Sequence, residues 1–146
     1  MIRPGRPTDA AAIHSLAGLY GSELEAAGRA APELGVAWRS WLTRRIAAGD
    51  VRVAAAGEEL VGYIIWQART RDGGRLLVVS DLYVRSHERG NRRGSGLLAR
   101  ALDRARSDGL REIELADGLA DAAASALVRS FGFVQLEDDG RLVWRA

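Results

Sequence analysis

Asn91-Arg92-Arg93-Gly94-Ser95-Gly96 is the segment of this chain with the clearest chemistry. Glycines let a backbone pass close to a ligand and turn its N–H groups outward. The neighbouring arginines bring permanent positive charge. An amphipathic helix pattern opens at Leu97, which places the positive end of a helix dipole on the same turn. Together these groups read as a seat for phosphate.

The elements around that seat can be traced from periodicity. Ile2-Arg3-Pro4 is strand-like, and Thr8 or Asp9 can cap the helix that follows, whose apolar face is Ile13, Leu16, Ala17, Leu19 and Tyr20. Gly21 to Gly35 is weakly patterned and expected to be mobile. A second helix is expected over Val36 to Ala48, with Trp38, Trp41, Leu42 and Ile46 on one side. Strands are expected at Val51–Ala55, Leu60–Trp66 and Leu76–Val84, with turns at Gly57-Glu58-Glu59 and Arg71-Asp72-Gly73-Gly74. The polar segment Arg85 to Arg93 leads into the glycine turn. The next helix repeats apolar residues at 97, 98, 101, 102 and 105 and stops at Gly109. Ile113-Glu114-Leu115 is a strand, and a short helix with Ala122, Ala126 and Leu127 follows. Gly132-Phe133-Val134 opens a strand, Asp138-Asp139-Gly140 is a turn, and Leu142-Val143-Trp144 is expected to close the sheet. The order β-α-α-β-β-β-α-β-α-β-β and the absence of a linker predict one α+β domain over 1–146.

Composition narrows the function classes. The 146 residues suit one domain, and hydrophobic residues make up 47% against 27% charged, which is globular. No apolar run approaches the roughly 18 residues of a membrane span, so no membrane partner is expected. The opening Met1-Ile2-Arg3-Pro4-Gly5 does not read as a signal peptide, and the default setting is cytoplasmic. With no cysteine, disulfides, thiolate metal sites and a cysteine nucleophile are excluded, and with 2 histidines no histidine metal site is expected. Every basic residue is arginine, scattered among acids, and aromatics are 6%, so nucleic-acid binding is not expected.

Four readings compete for the glycine turn. A Walker loop needs a lysine that this chain lacks. Gly94-Ser95-Gly96-Leu97-Leu98-Ala99 fits the dinucleotide pattern, with Glu114 downstream for a ribose. There, however, the glycines should leave the strand directly, whereas Arg85 to Arg93 intervenes. Too little chain also follows to complete a doubly wound sheet. A plain glycine turn with solvated arginines is the bland reading.

The fourth rests on the whole chain. Asp81-Leu82-Tyr83-Val84, the arginine loop and Gly94-Ser95-Gly96-Leu97-Leu98 resemble the acyl-CoA motif Q/R-x-x-G-x-G/A of the GCN5-related N-acetyltransferases, the GNAT superfamily. Ile2-Arg3-Pro4, Glu59-Leu60-Val61-Gly62-Tyr63 and Ser130-Phe131-Gly132-Phe133 extend the resemblance along the chain. It implies a GNAT fold: a single mixed, mostly antiparallel sheet of about six to seven strands flanked by about four helices. It implies acetyl-CoA as cosubstrate, no metal, and an amine of a small molecule or peptide as acceptor. The Leu82-Tyr83-Val84 strand would splay from its neighbour at a bulge, with the pantetheine arm on backbone groups of Leu82 and Val84. The pyrophosphate would meet N–H groups from Arg92 to Gly96, with Arg93 and Ser95 among them. Asn91 stands where Gln or Arg is usual. The loop is longer than the common form, which makes Arg89 the second candidate for the motif arginine. Asp121 and Ser125, on the last helix, are further cofactor-side candidates.

Acetyl transfer to an amine needs a base, a donor for the developing oxyanion and a proton for the departing thiolate. The family pattern N-x-x-A-x-x-L-Y-x-K-x-G-F, aligned on Gly132-Phe133, puts Asp121 at the asparagine, Val128 at the tyrosine acid and Ser130 at the lysine. The remaining acid candidates are Ser125, Ser130, Tyr83 and water. Some relatives carry a glutamate where Ser80 stands, which leaves Asp81 as the nearest carboxylate and first choice of base, with Glu114 also near the expected cleft. The bland reading of Asp81 is a turn or cap partner for the arginine loop, and that of Glu114 a solvated strand residue. Glu23, Glu25 and Glu33, on the expected acceptor side, could draw a cationic amine or simply be solvated. Trp38, Trp41, His14 and His87 read as core, wall or surface. Two other classes stay open: a non-enzymatic acyl-CoA binder, and an interaction domain that forms a homodimer through the last strands.

Overall fold

The computed structural model describes residues 1–116, 122–136 and 141–146. The strands are β1 (Ile2–Pro4), β2 (Val51–Ala56), β3 (Glu59–Arg71), β4 (Gly74–Val84), β5 (Glu112–Leu115), β6 (Val134–Gln135) and β7 (Leu142–Arg145). The helices are α1 (Ala10–Ala26), α2 (Val36–Ala47), α3 (Arg93–Ser107) and α4 (Ala122–Ser130). Their order along the chain is the expected one. One seven-stranded sheet runs β1-β2-β3-β4-β5-β7-β6. Only β4 and β5 pair in parallel; every other neighbour is antiparallel.

Four expectations change. Gly21–Ala26 is not a mobile stretch but the last turns of α1, because Gly21 and Leu24 are buried and extend the apolar face. Leu19, expected on that face, is 42% exposed. β7 does not close the sheet: all four of its residues pair with β5 on one edge and two pair with the two-residue β6 on the other, so β6 is left as the short edge. Asp9 does not cap α1. Its carboxylate instead accepts the Arg6 N–H at 2.7 Å and pairs with Arg3 at 2.7 Å, which secures the turn before the helix. The expected turn at Asp138-Asp139-Gly140 lies outside the described residues.

The helices cover both faces. α1 and α2 pack Ile13, Leu16, Ala17, Leu42 and Ile46 on Val51, Val53, Tyr63, Ile65 and Tyr83. α3 packs Leu97, Leu98, Ala101, Leu102 and Ala105 on the other face, with Val128 of α4. Each buried leucine there contributes roughly 1.5–3 kcal/mol. α3 ends where Gly109 takes φ 69°, which lets the Leu110 N–H reach the Ala105 carbonyl at 2.8 Å. The β3–β4 hairpin turns on Asp72 and Gly73, both at positive φ (52° and 78°), the conformation a two-residue turn between twisted strands requires.

One irregularity places the site. Ile65 pairs with Asp81, but Trp66 pairs with Val79, so Ser80 is an extra residue in β4. This β-bulge inverts the strand's alternation. Below it Leu77 and Val79 face α3; above it Leu82 and Val84 do.

Candidate active site

The bulge coincides with the end of the β4–β5 ladder. β5 pairs with Leu77, Val78 and Val79, and the Ala116 N–H closes the ladder on the Val79 carbonyl at 2.9 Å. Among the described residues, β4 has no strand partner on that side from Ser80 to Val84. The direction of the unpaired groups follows from the far end. The Arg85 N–H donates to the Val61 carbonyl of β3 at 2.8 Å. Antiparallel backbone groups alternate, so Tyr83 and Asp81 also bond toward β3, and the N–H and C=O groups of Leu82 and Val84 point into the gap. Tyr83 is turned the other way: its ring lies on the α1 side, stacked on Tyr20 at 5.4 Å.

The glycine turn opens α3 at the mouth of this gap. Arg92, the cap residue, takes φ 61°, and no side chain caps the helix. The first intrahelical bond runs from the Gly96 N–H to the Arg92 carbonyl at 2.9 Å. The N–H groups of Arg92, Arg93, Gly94 and Ser95 therefore have no acceptor within the helix, whereas that of Gly96 does. The Ser95 hydroxyl donates to the Arg92 carbonyl at 2.9 Å and braces the turn. Glu88 faces Arg93 at 3.4 Å and the Asn91 amide at 3.4 Å.

The glycines answer to packing. A Cβ at Gly96 would lie 2.4 Å from Ile2 Cδ1, and one at Gly94 would lie 2.9 Å from Leu127 Cδ2. They allow α3 to approach β1 and α4 closely.

On the α1 face of β4, Asp81 Oδ2 accepts a hydrogen bond from the Tyr63 hydroxyl at 3.0 Å. Burial pushes the Asp81 carboxyl up to about 6, and the Tyr63 hydrogen bond opposes the rise. Burial, then the neighbouring Asp81, holds the Tyr63 phenol well above its ordinary value, so it remains a donor. Asp81 keeps part of its surface open. Ser80 sits in the bulge beside it.

Other candidates fall elsewhere. The Ser130 hydroxyl donates to the Leu127 carbonyl at 2.6 Å at the end of α4. Val128, at the family's tyrosine position, is fully buried in the α3-side core. Glu114 is 5% exposed and pairs with Arg71 at 2.6 Å and Arg141 at 3.1 Å, which is a structural role. Asp121 and the side chain of Ser125 lie outside the described residues. Glu25 and Glu33 are exposed. His14 bonds the Leu34 carbonyl at 2.9 Å and meets the Trp38 ring edge-on, while Trp38 packs near Trp41. Glu23 is different: it accepts from the Tyr83 hydroxyl and pairs with Arg89 at 2.6 Å. That contact had no sequence signal, because the partners lie 60 and 66 positions away. A cavity of about 290 Å³ opens here between Leu19, Glu23, Ala26, Tyr83, Arg85 and His87. No metal-binding group of side chains occurs among the described residues, and no helix among them is long and apolar enough to cross a membrane.

Comparison with solved structures returns the same architecture. The chain is similar to the PaiA N-acetyltransferase of Thermoplasma acidophilum in complex with coenzyme A, at 18% identity and TM-score 0.79, covering 100% of this chain and 98% of that one. It is similar to an agmatine N-acetyltransferase at 16% identity and TM-score 0.78, covering 100% and 99%. It is also similar to a ribosomal-protein-alanine N-acetyltransferase of Brucella melitensis at 24% identity and TM-score 0.71, covering 100% and 98%. At these identities the likeness establishes the fold. No curated protein matches by sequence. The sequence pattern of the acetyltransferase (GNAT) family matches residues 13–133, which takes in most of α1, the bulged strand, the open gap and the glycine turn, so the chain belongs to the GNAT acetyltransferase family.

Proposed function

We propose that this protein is an N-acetyltransferase that moves an acetyl group from acetyl-CoA to a primary amine of a small molecule or peptide, by direct attack in a ternary complex. The observation that carries the reading is the unpaired edge of β4 above Ser80, aimed into a gap that leads to the uncapped start of α3. The residues present fit an acyl-CoA. Leu82 offers a backbone donor and acceptor and Val84 a backbone donor toward an amide-containing arm, the Val84 carbonyl being held by Arg89 Nε at 2.8 Å. The N–H groups of Arg92 to Ser95 offer a concave anion seat on a helix N-terminus. When bound, acetyl-CoA supplies an activated acetyl thioester.

The chain's own residues supply the rest. The bulge turns the Asp81 side chain to the α1 face while the backbone groups of Leu82 face the gap, so the carboxylate stands beside the route to the thioester without occupying it. Asp81 Oδ accepts the proton that the attacking amine must lose, and near neutral pH it is ionised and ready to do so. Tyr63 fixes the orientation of that carboxylate. Acetyltransferase relatives of similar fold act on agmatine and on a ribosomal-protein alanine, which supports an amine acceptor of either size.

The test is thiol release from acetyl-CoA across a panel of amines and peptide N-termini, with calorimetry of CoA and of pantetheine, which lacks the phosphates. CoA is expected to bind about tenfold or more tighter than pantetheine, through charge-assisted bonds to the seat. Equal affinities would remove the phosphate seat. Val128, buried where the family's acid commonly stands, favours a second reading as an acyl-CoA binder without turnover. Tight CoA binding with no thiol release for any acceptor would select it.

A further inference from the structure

Arg89 is the arginine that the motif offers as a phosphate ligand, yet its guanidinium is engaged elsewhere. Nε donates to the Val84 carbonyl at 2.8 Å. Nη2 donates to Glu23 Oε1 at 2.6 Å. The guanidinium carbon lies 5.5 Å from the centre of the Tyr83 ring. The other oxygen of Glu23 accepts from the Tyr83 hydroxyl. One carboxylate of α1 thus holds both the strand that carries the open edge and the loop that leads to the phosphate seat.

The placement matters because Val84 is the last residue of β4, and its carbonyl faces the gap. With Arg89 Nε on that carbonyl, the chain from 84 to 89 is closed into a compact turn containing the short helix Ser86–Glu88. The planar fork of arginine makes both bonds from two fixed N–H groups at once. Burial first, and then Glu23, raises the Tyr83 phenol, so it stays a donor to Glu23. Glu23 is half-buried and its two oxygens are both engaged, which leaves it poorly placed to select a cationic amine.

We propose that Glu23 and Arg89 form a clasp that sets the mouth of the acyl-CoA gap, with Arg89 a positioning residue rather than a phosphate ligand. Glu23 then governs acyl-CoA binding from the opposite face of the sheet without touching it. The proposal rests on the acyl-CoA reading given above. Its consequence is that the helix walling the acceptor side and the edge receiving the cosubstrate are coupled through one ion pair.

Calorimetry with CoA and with pantetheine on wild type, Glu23→Gln, Arg89→Gln and the double variant tests it, with amide hydrogen exchange over residues 84–92. Each single variant is expected to weaken both ligands by the same factor, about tenfold for the loss of a charge-assisted bond. The double variant should be no weaker than either single one. Exchange over 84–92 should quicken equally in both singles, with the thermal midpoint reporting that the fold is kept. Weakening of CoA alone in Arg89→Gln, with pantetheine unaffected, would make Arg89 a phosphate ligand and overturn the clasp. Unchanged affinities and exchange in Glu23→Gln would also overturn it. If wild type binds neither ligand, the acyl-CoA reading and with it the clasp's binding role fall; the exchange data still decide whether the ion pair orders the loop.

Discussion

The Tyr63 hydroxyl donates to Asp81 Oδ2 at 3.0 Å across the β3–β4 pair, one residue from the bulge at Ser80. It is the contact that separates Asp81 from an ordinary surface carboxylate. A fully buried phenol holds one of its oxygens while the rest of the group reaches the surface.

If Asp81 is the base, Asp81→Asn should lower kcat by roughly 100-fold or more while CoA affinity stays the same. In wild type, kcat/KM should fall as pH drops through about 6, because the carboxylate is then protonated. Tyr63→Phe removes the bond that opposes the effect of burial. The acid limb should therefore move to higher pH. An acid limb that stays in place in Tyr63→Phe would separate the two residues.

The same carboxyl predicts a stability trend. Its folded value of about 6 lies above its ordinary 3.8, so the folded state binds the proton more tightly than the unfolded chain. The stabilisation is present below the unfolded value and is lost as pH rises through the folded one. The full linkage is on the order of 2–3 kcal/mol. Urea midpoints for Asp81→Asn relative to wild type should therefore rise between about pH 4 and pH 7.

Gly96→Ala should destabilise the fold by about 1–3 kcal/mol, because the new methyl meets Ile2 Cδ1. Ile2→Val removes that atom. The double variant should be more stable than the two single changes predict, and it should bind CoA as wild type does. Lost CoA binding in the stable double variant would return the glycine to the phosphate seat.

Val128→Tyr should not create the missing acid. The side chain at 128 is fully buried beneath the sheet with Leu98 and Phe133 in the same cluster, so a phenol there overpacks the core. A loss of about 1–3 kcal/mol with no gain in kcat is expected from chemical denaturation and thiol-release assays.

Much of the fold was legible because its signals are local. The continuous apolar run Leu60–Trp66, the 3.6-residue repeat of Leu97 to Ala105 and the stop at Gly109 each report on a few neighbouring residues. The glycine turn was legible as the start of α3, whereas the contacts of its glycines with Ile2 and Leu127 come from distant segments. What stayed hidden depends on chain segments meeting from afar. Leu76 to Val79 are apolar on both faces, which masks the parity change at Ser80. The insertion of β7 beside β5 follows from competition between two short strands, and Leu142-Val143-Trp144 gives no hint of which wins. Gly21 looked like a break because glycine disfavours helices, yet tertiary packing against Ala31 overrode that preference. The union of Glu23, Tyr83 and Arg89 exists only once α1 has docked.

β4 behaves as though it had a reading frame. Its single unmatched residue at 80 lets the lower half address α3 with odd positions and the upper half with even ones. Absorbing Ser80 into a regular ladder, with every residue kept, would be a frameshift in space. Asp81 would turn into the apolar core beneath α3, and Leu82 would turn toward Tyr63, while the backbone groups of Leu82 and Val84 would re-pair with β3. The strand can vary in composition at either end, but the two-against-one count at Ser80 cannot be straightened out without exchanging the α3 side for the α1 side.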